Sequence, residues 1–364
     1  MLTSIKELLY IFYYMLSSNF LRTFLYVIFI LSIRSNIIAQ SLLFRVIFED
    51  AYNAKHYETV VSSGMAIIAA PSKPFYLSLL DESKITDRAN MSFALQENFI
   101  QNNAKVLRSD STCIYLLAPD TGGTYSIIYG SVYSPLARII LVVPKKIKIK
   151  DGKINGYIMG NYPDRLKTPT RFIEITTELL DVPISSNLRF SDFVSGSLTL
   201  EQKNYFPKYV VIQYPIVFKI ESLIRALSNH PQFNCKGIRV KSGYRTPIYN
   251  DAIPESVKES YHIYGLAVDI IVDANPRDGI FDDVNNNGKQ DIGDAILLAK
   301  ACDYLEEKGL MPVGGVGVYE YRTPIGKGKY TVSHFVHIDA RGTKRARWGY
   351  WYRGTKRMGY IRWR

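Results

Sequence analysis

The first half of the chain alternates between short apolar runs and turn residues. The runs at 112–117, 124–129 and 137–143 are rich in β-branched and aromatic side chains, and a Gly-Gly turn signal at 121–123 separates two of them. Because the side chains of a strand alternate between two faces, this pattern predicts strands. We therefore expect a mainly β domain over residues 41–180.

The pattern changes after residue 180. Residues 181–205 contain Pro183 and two serine-rich stretches, which predicts a linker or a loop that packs between domains. Pro215 can occupy the first turn of a helix, and apolar residues continue from it at helical spacing: Ile216, Ile220, Leu223, Ile224 and Leu227. Strand and helix patterns both follow, so the predicted fold class is α+β, with a second domain over residues 206–348.

The N-terminus carries an export pattern. Arg22 precedes an apolar run at 23–33, and small residues follow near position 40. A basic residue, a short apolar core and a small residue at a cleavage point are typical of a secretory signal. A membrane anchor is the alternative, but the run is shorter than the ~18 to 20 residues that span a bilayer. We therefore expect residues 1–40 to be a cleaved signal peptide, with export to the periplasm, the cell envelope or the extracellular space.

The end of the chain combines positive charge with aromatic side chains. Nine basic residues and no acidic ones fall between Arg341 and Arg364, so most of the formal net charge of +12 lies there. The chain's three tryptophans are interleaved with them: Trp348, Trp351 and Trp363. This combination suits an anionic polymer, and expected export favours an envelope polymer over nucleic acid. The alternative for residues 349–364 is a partly disordered, solvated tail.

Histidine and aspartate fall in a pattern that suits a metal. Residues 267–272 and 335–338 both predict strands, and if these strands pair, Asp269 and His337 can point into one site. His262 precedes Asp269 by seven residues with a glycine between them, so a loop can fold its imidazole back over the strand. Two imidazoles and one carboxylate form a three-ligand zinc set with a fourth position for water. Histidines satisfied within a core are the alternative.

Three short motifs contain these residues. They are SGYRTP at 242–247, S-x-H-x-x-G-x-A-x-D at 260–269 and FVHID at 335–339. In this order they resemble the zinc D-alanyl-D-alanine carboxypeptidase and endopeptidase family, which shares its core fold with the hedgehog signalling domain. The resemblance covers residues 206–348. The glycine-rich segment at 314–317 is similar to sequences of the small-core bacterial branch of this family.

The resemblance implies a fold, ligands and a substrate. The second domain would be an α+β zinc-peptidase domain in which His262, Asp269 and His337 bind zinc. Arg245 would hold the substrate's peptide carbonyl or carboxylate near the metal, where a fixed positive charge steadies a developing oxyanion. The implied activity is zinc-dependent hydrolysis of amide bonds in peptidoglycan stem peptides or cross-links. The alternative for Arg245 is a structural salt bridge.

The chain departs from this family at the general base. Known members place a glutamate three residues before the last histidine ligand, where this chain has His334. A histidine can act as a base at neutral pH. However, alternation points His334 and His337 to opposite faces unless the strand bulges, and Glu320 is a second candidate. His334 could also be an extra ligand, or the protein could be a catalytically inactive zinc- and calcium-stabilised wall-binding module.

A second metal pattern spans residues 283–294. It resembles the calcium loops of dockerin modules, with oxygen ligands at loop positions 1, 3, 5, 7, 9 and 12 and glycine at 6. The predicted calcium ligands are the side chains of Asp283, Asn285, Asn287, Asp291 and Asp294 and the backbone carbonyl of Lys289. We expect a structural calcium ion in an insertion of the zinc-peptidase domain. An ordinary Asn- and Gly-rich surface turn is the alternative.

Overall fold

A computed structural model describes residues 42–85, 90–131, 134–164, 167–194, 196, 198–228, 230, 237–274, 276–326 and 329–363. These residues form a strand-rich α+β structure, which confirms the predicted class. The predicted signal peptide, residues 1–40, lies outside them. None of the helices in the described ranges has the length and apolarity needed to cross a membrane.

Two stacked sheets form the N-terminal part. Its elements are β1 (Leu43–Glu49), β2 (His56–Ser62), β3 (Ala66–Ile68), β4 (Pro74–Leu79), β5 (Ser92–Leu95), α1 (Glu97–Gln101), β6 (Lys105–Ser109), β7 (Cys113–Leu117), β8 (Gly123–Ser131) and β9 (Ser134–Val143). One sheet has the order β2-β1-β4-β7-β6 and the other β3-β9-β8-β5. Alternate residues of β1, such as Phe44 and Val46, are fully buried between the sheets, as period-two patterning predicts. This first core ends at Val143.

The next segment belongs to a second core. It contains β10 (Lys145–Lys146), β11 (Lys153–Ile154), β12 (Tyr157–Ile158), β13 (Arg171–Ile175), α2 (Leu200–Asn204) and β14 (Lys208–Val210). Strands β10, β13 and β14 form one small sheet, and β11 pairs with β12. Phe172, Phe190 and Phe193 are at most 1% exposed and pack with residues as far along as Trp363. Residues 181–205 therefore include side chains packed in the second core, which also takes in Ala66, Ile140 and Val142 of the N-terminal sheets. The domain bounds stay a prediction.

A six-stranded sheet dominates the second core. The elements are α3 (Tyr214–Leu227), β15 (Ile238–Ser242), α4 (Pro247–Ala252), β16 (Ala267–Val272), α5 (Ile292–Glu307), β17 (Gly315–Gly326), β18 (Lys329–Asp339), β19 (Ala346–Arg353) and β20 (Lys356–Tyr360). The strand order is β15-β16-β18-β17-β19-β20, and only β17 and β19 are parallel among these neighbours. Val336 and Ile338 of β18 are fully buried in the core that α3 and α5 complete. The alternate residues Phe335 and His337 face the other side.

The basic aromatic end of the chain is part of this sheet. The residues for which a solvated tail was the alternative make β19 and β20, and β19 pairs with β17 over Gly315 to Arg322. Trp363 is 5% exposed, and its Nε1 donates to the Trp348 carbonyl at 2.7 Å. The alternative of a partly disordered tail is therefore wrong, because these residues have strand partners and a core, while binding of an anionic polymer stays a prediction.

Candidate metal site and its cavity

Three elements bring the predicted ligands together. Asp269 of β16 lies directly opposite His337 of β18 in antiparallel register. His262 lies in a 3-10 turn, Tyr261–Tyr264, which ends at Gly265 with a left-handed φ of +66°. A side chain on Gly265 would collide with the Val211 carbonyl, so glycine allows the turn to fold against the sheet. The strand pairing and the bend expected from the sequence are both present.

The three side chains converge on one point. His262 Nε2 lies 3.1 Å from His337 Nδ1 and 3.2 Å from Asp269 Oδ1, and His337 Nδ1 lies 3.0 Å from Asp269 Oδ1. In the described part of the chain this is the one group of three or more His, Cys, Asp or Glu side chains that could hold a metal ion. Tetrahedral zinc with bonds of about 2.0 to 2.1 Å separates its ligand atoms by about 3.3 Å. The spacing and the nitrogen and oxygen donors therefore fit zinc.

Neighbouring groups orient the two imidazoles. His262 Nδ1 donates to the Gly243 carbonyl at 2.7 Å, which leaves the Nε2 lone pair directed at the other two side chains. His337 Nε2 lies 3.7 Å from Asp339 Oδ2, on the far side of its ring from Nδ1. The hydrogen bond from His262 is of the kind that fixes the tautomer and orientation of metal-binding histidines, and Asp339 places a carboxylate near the outer edge of the His337 ring.

Burial and charge set the protonation of the cluster. Burial lowers the pKa of His262 to about 4, so its imidazole is neutral at neutral pH. Burial alone would raise the pKa of Asp269, but Arg245 and His262 hold that pKa well below its usual range. For His337, burial opposes the charged form, yet contacts with Asp269 and Asp339 raise its pKa. An anionic carboxylate beside a neutral imidazole is the state in which such groups bind a metal.

Arg245 contacts the cluster directly. Its Nη2 donates to Asp269 Oδ2, and its Nε donates to Ser242 Oγ at 2.9 Å. The guanidinium also lines the cavity beside the cluster. The salt bridge left open as an alternative is therefore present, and a contact between Arg245 and substrate stays a prediction.

His334 lies on the wrong face of the sheet for the predicted catalytic role. Strands β17 and β18 keep one register from Val316 and Ile338 to Thr323 and Thr331, without a bulge before Phe335. His334 is paired across the strands with Glu320, with His334 Nε2 3.4 Å from Glu320 Oε2, and neither side chain lines the cavity. Strict alternation thus turns both base candidates away from the cluster, and neither the base nor the extra-ligand role of His334 holds.

The cavity beside the cluster has a volume of about 470 Å³. Its sheet wall is aromatic and consists of Tyr319, Tyr321, Phe335, Trp348, Tyr350 and Tyr352. The Tyr321 and Tyr352 rings stack with centroids 4.5 Å apart, and the Tyr319 and Phe335 rings stack at 4.8 Å. This wall was not predicted from the sequence, although aromatic residues at alternate positions of β17 and β19 were a period-two signal for one shared face.

The opposite wall is the loop after α4. It brings two carboxylates to the cavity, Glu255 and Glu259. Glu259 Oε2 lies 3.1 Å from Lys167 Nζ, whereas no ion-pair partner of Glu255 occurs within the described ranges. Glu255 has a φ of +59°, a left-handed conformation that non-glycine residues rarely adopt outside constrained sites. No sequence motif marked this loop.

The predicted calcium residues form one closed turn before α5. Asp283 accepts hydrogen bonds from the amides of Asn287 and Gly288 at 3.1 and 2.7 Å. Asp294 Oδ1 accepts from the amides of Val284 and Asn285 at 2.8 and 3.1 Å, and Asp291 caps the helix. The turn is present, but its carboxylates do not make a second metal group among the described residues. Calcium binding therefore stays a prediction for Asp283, Asn285, Asn287, Lys289, Asp291 and Asp294.

No family model, curated protein or solved structure matches this chain.

Proposed function

We propose that this protein is a zinc-dependent hydrolase of amide bonds in peptidoglycan peptides. The observation that carries the proposal is the buried convergence of His262, Asp269 and His337 at the side of an open cavity. A zinc ion held by these residues would polarise an amide carbonyl and make water a stronger nucleophile near neutral pH. The three ordered motifs and their resemblance to zinc D-alanyl-D-alanine peptidases support the same activity.

The cavity chemistry favours an anionic peptide. Arg245, Arg341 and Arg357 line it. The first two pair with Asp269 and Asp339, and Arg357 is left to bind a carboxylate of a peptidoglycan stem peptide. The aromatic wall offers apolar area for the rest of the peptide. We also propose export of the protein and a structural calcium ion in the turn before α5, since the N-terminal pattern and the loop spacing favour them.

Hydrolysis also needs a general base, and we assign Glu255. Water adds its oxygen to the carbonyl carbon, the C–N bond breaks, and a proton passes from the water to the leaving nitrogen through the base. The carboxylates that line the cavity are Asp269, Glu255 and Glu259. Asp269 is part of the metal group and Glu259 is paired with Lys167, which leaves Glu255 on the wall facing the sheet.

A second candidate is a catalytically inactive module that binds zinc, calcium and cell wall. One observation favours it. Among the described residues of β18, His337 is the only acidic or basic residue that lines the cavity, because His334 faces the other side of the sheet. The cavity would then hold wall peptides without cutting them.

Digestion of muropeptides distinguishes the two functions. The purified full chain, loaded with zinc at one equivalent, is incubated with defined muropeptides, and products are followed by mass. The proposed hydrolase yields two fragments whose combined mass exceeds that of the substrate by one water molecule. His337→Ala protein should yield no fragments. If the protein cleaves no muropeptide at full zinc content, the hydrolase proposal is wrong and the binding module remains.

A further inference from the structure

We propose that the Tyr319 hydroxyl donates a hydrogen bond to the oxygen of the amide carbonyl as it gains negative charge during hydrolysis. The inference rests on the proposed hydrolase function. It assigns to a tyrosine the electrophilic role that the sequence resemblance gave to Arg245.

Tyr319 is close to the metal group along β17. Gly317 of this strand pairs with His337, and Tyr319 is the next residue of β17 on the same face. Its side chain lines the cavity together with His262, Asp269 and His337. A hydroxyl here can therefore reach a substrate group that lies against the cluster.

Trp348 orients this hydroxyl. The indole Nε1 donates to Tyr319 Oη at 2.8 Å, and the indole ring lies 5.4 Å from the imidazole of His337. An indole N–H can only donate, so the tyrosine oxygen is the acceptor and keeps its own hydrogen for another partner. Within the described residues no acceptor takes that hydrogen, and it is available to a molecule in the cavity.

A glycine of β17 leaves room for the Trp348 side chain. A side-chain carbon on Gly317 would collide with the indole Nε1, so the glycine leaves room for the ring to lie against the strand. The Tyr319 ring is held in turn by Phe335, with ring centroids 4.8 Å apart, and by Tyr352 at 6.3 Å. A donor fixed in advance stabilises developing charge without reorganisation during the reaction.

The protonation state also suits a donor. Burial raises the pKa of Tyr319 well above its usual value, so the phenol keeps its proton throughout the neutral range. Arg245, by contrast, already donates through Nε to Ser242 and through Nη2 to Asp269. Two of its five N–H hydrogens are thus used within the protein, whereas the single O–H hydrogen of Tyr319 is available to a substrate.

The test is Tyr319→Phe, which removes the hydroxyl and keeps the ring. On a muropeptide that wild-type protein cleaves, we expect kcat to fall about 100-fold with little change in KM, as for loss of one oxyanion donor. Zinc content should be unchanged. Tyr360→Phe is the matched control, because Tyr360 is 75% exposed and lies outside the cavity.

A binding measurement separates this role from a structural one. Affinity for a phosphinate peptide, which mimics the tetrahedral state, should fall with Tyr319→Phe, while affinity for a planar, uncleaved peptide analogue should not. Trp348→Phe should cause a smaller loss that does not add to that of Tyr319→Phe. Full kcat, or a change in KM alone, would overturn the inference. If wild-type protein cleaves no peptide at all, the hydrolase proposal itself falls.

Discussion

Lys219 Nζ lies 2.6 Å from Glu306 Oε1, and neither side chain has any exposed surface. The same ammonium donates to the Asp339 carbonyl at 2.7 Å, and Glu306 Oε2 accepts from Arg347 Nη2 at 2.6 Å. One buried network therefore joins α3, α5, the end of β18 and β19. Since His337 lies two residues before Asp339, this network fixes the strand that carries a proposed metal ligand.

Replacing Lys219 should weaken the fold. Lys219→Met removes the buried cation and leaves Glu306 with Arg347 and, at 3.8 Å, Arg345 as its remaining partners. Breaking a buried pair costs about 3 to 5 kcal/mol, and the surviving arginines place the expected loss of unfolding free energy at about 3 kcal/mol. Urea denaturation measures it. Lys300→Met, on the exposed side of α5, is the control, and an equal midpoint for both variants would contradict the network's role.

Substitution of His337 and of His334 by alanine should have opposite effects on zinc binding. His337→Ala removes one of three converging donors and should abolish stoichiometric zinc binding. His334→Ala should retain zinc and turnover, because its imidazole faces away from the cavity. Elemental analysis of dialysed protein gives the zinc content, and circular dichroism checks folding. Zinc loss in folded His334→Ala protein would restore His334 to the ligand set.

Substitution of Glu255 by glutamine tests its assignment as the general base. Glu255→Gln keeps the size of the side chain but cannot accept the proton, so kcat should fall about 100-fold or more. Glu259→Gln is the matched control from the same loop. Equal rates for the two variants would remove Glu255 from the mechanism.

Calcium should act on stability through the turn before α5. We expect calcium to raise the melting temperature of wild-type protein and to leave that of Asp283→Ala unchanged. Asp283 also accepts two backbone hydrogen bonds, so the variant starts from a lower melting temperature without the ion. Differential scanning fluorimetry with calcium or a chelator measures both effects. A wild-type curve that is identical in both conditions would show that the turn needs no ion.

Local patterns predicted the metal group well. Asp269 and His337 face each other because both were expected in strands and those strands pair in antiparallel register, and a glycine was expected to bend the chain after His262. The same alternation predicted that His334 points away from His337. A catalytic residue at position 334 was expected from the family resemblance, but the unbroken register of β18 turns that side chain away from the cavity.

Long-range pairing explains most of the features that the sequence did not predict. The pairing of β19 with β17 joins residues about thirty positions apart, and nothing in the local sequence of Ala346 to Arg353 indicates its partner. Positive charge and aromatic residues left a polymer-binding tail and a solvated tail as the alternatives, whereas the alternating Trp348, Tyr350 and Tyr352 line the cavity. Likewise, Phe190 and Phe193 lie between serine-rich stretches, and their burial depends on a core formed mainly by later residues.

The parallel pairing of β19 separates two properties along the chain. All three proposed metal ligands precede residue 340, whereas Trp348, Tyr350, Tyr352 and Arg357 of the cavity wall come after residue 345. A protease that cuts the exposed segment at 342–345 and releases the C-terminal fragment would leave the three ligands on the larger fragment. It would also remove Trp348 from beside His337 and Arg347 from the buried network, so loss of part of the cavity wall and loss of support for His337 would occur together.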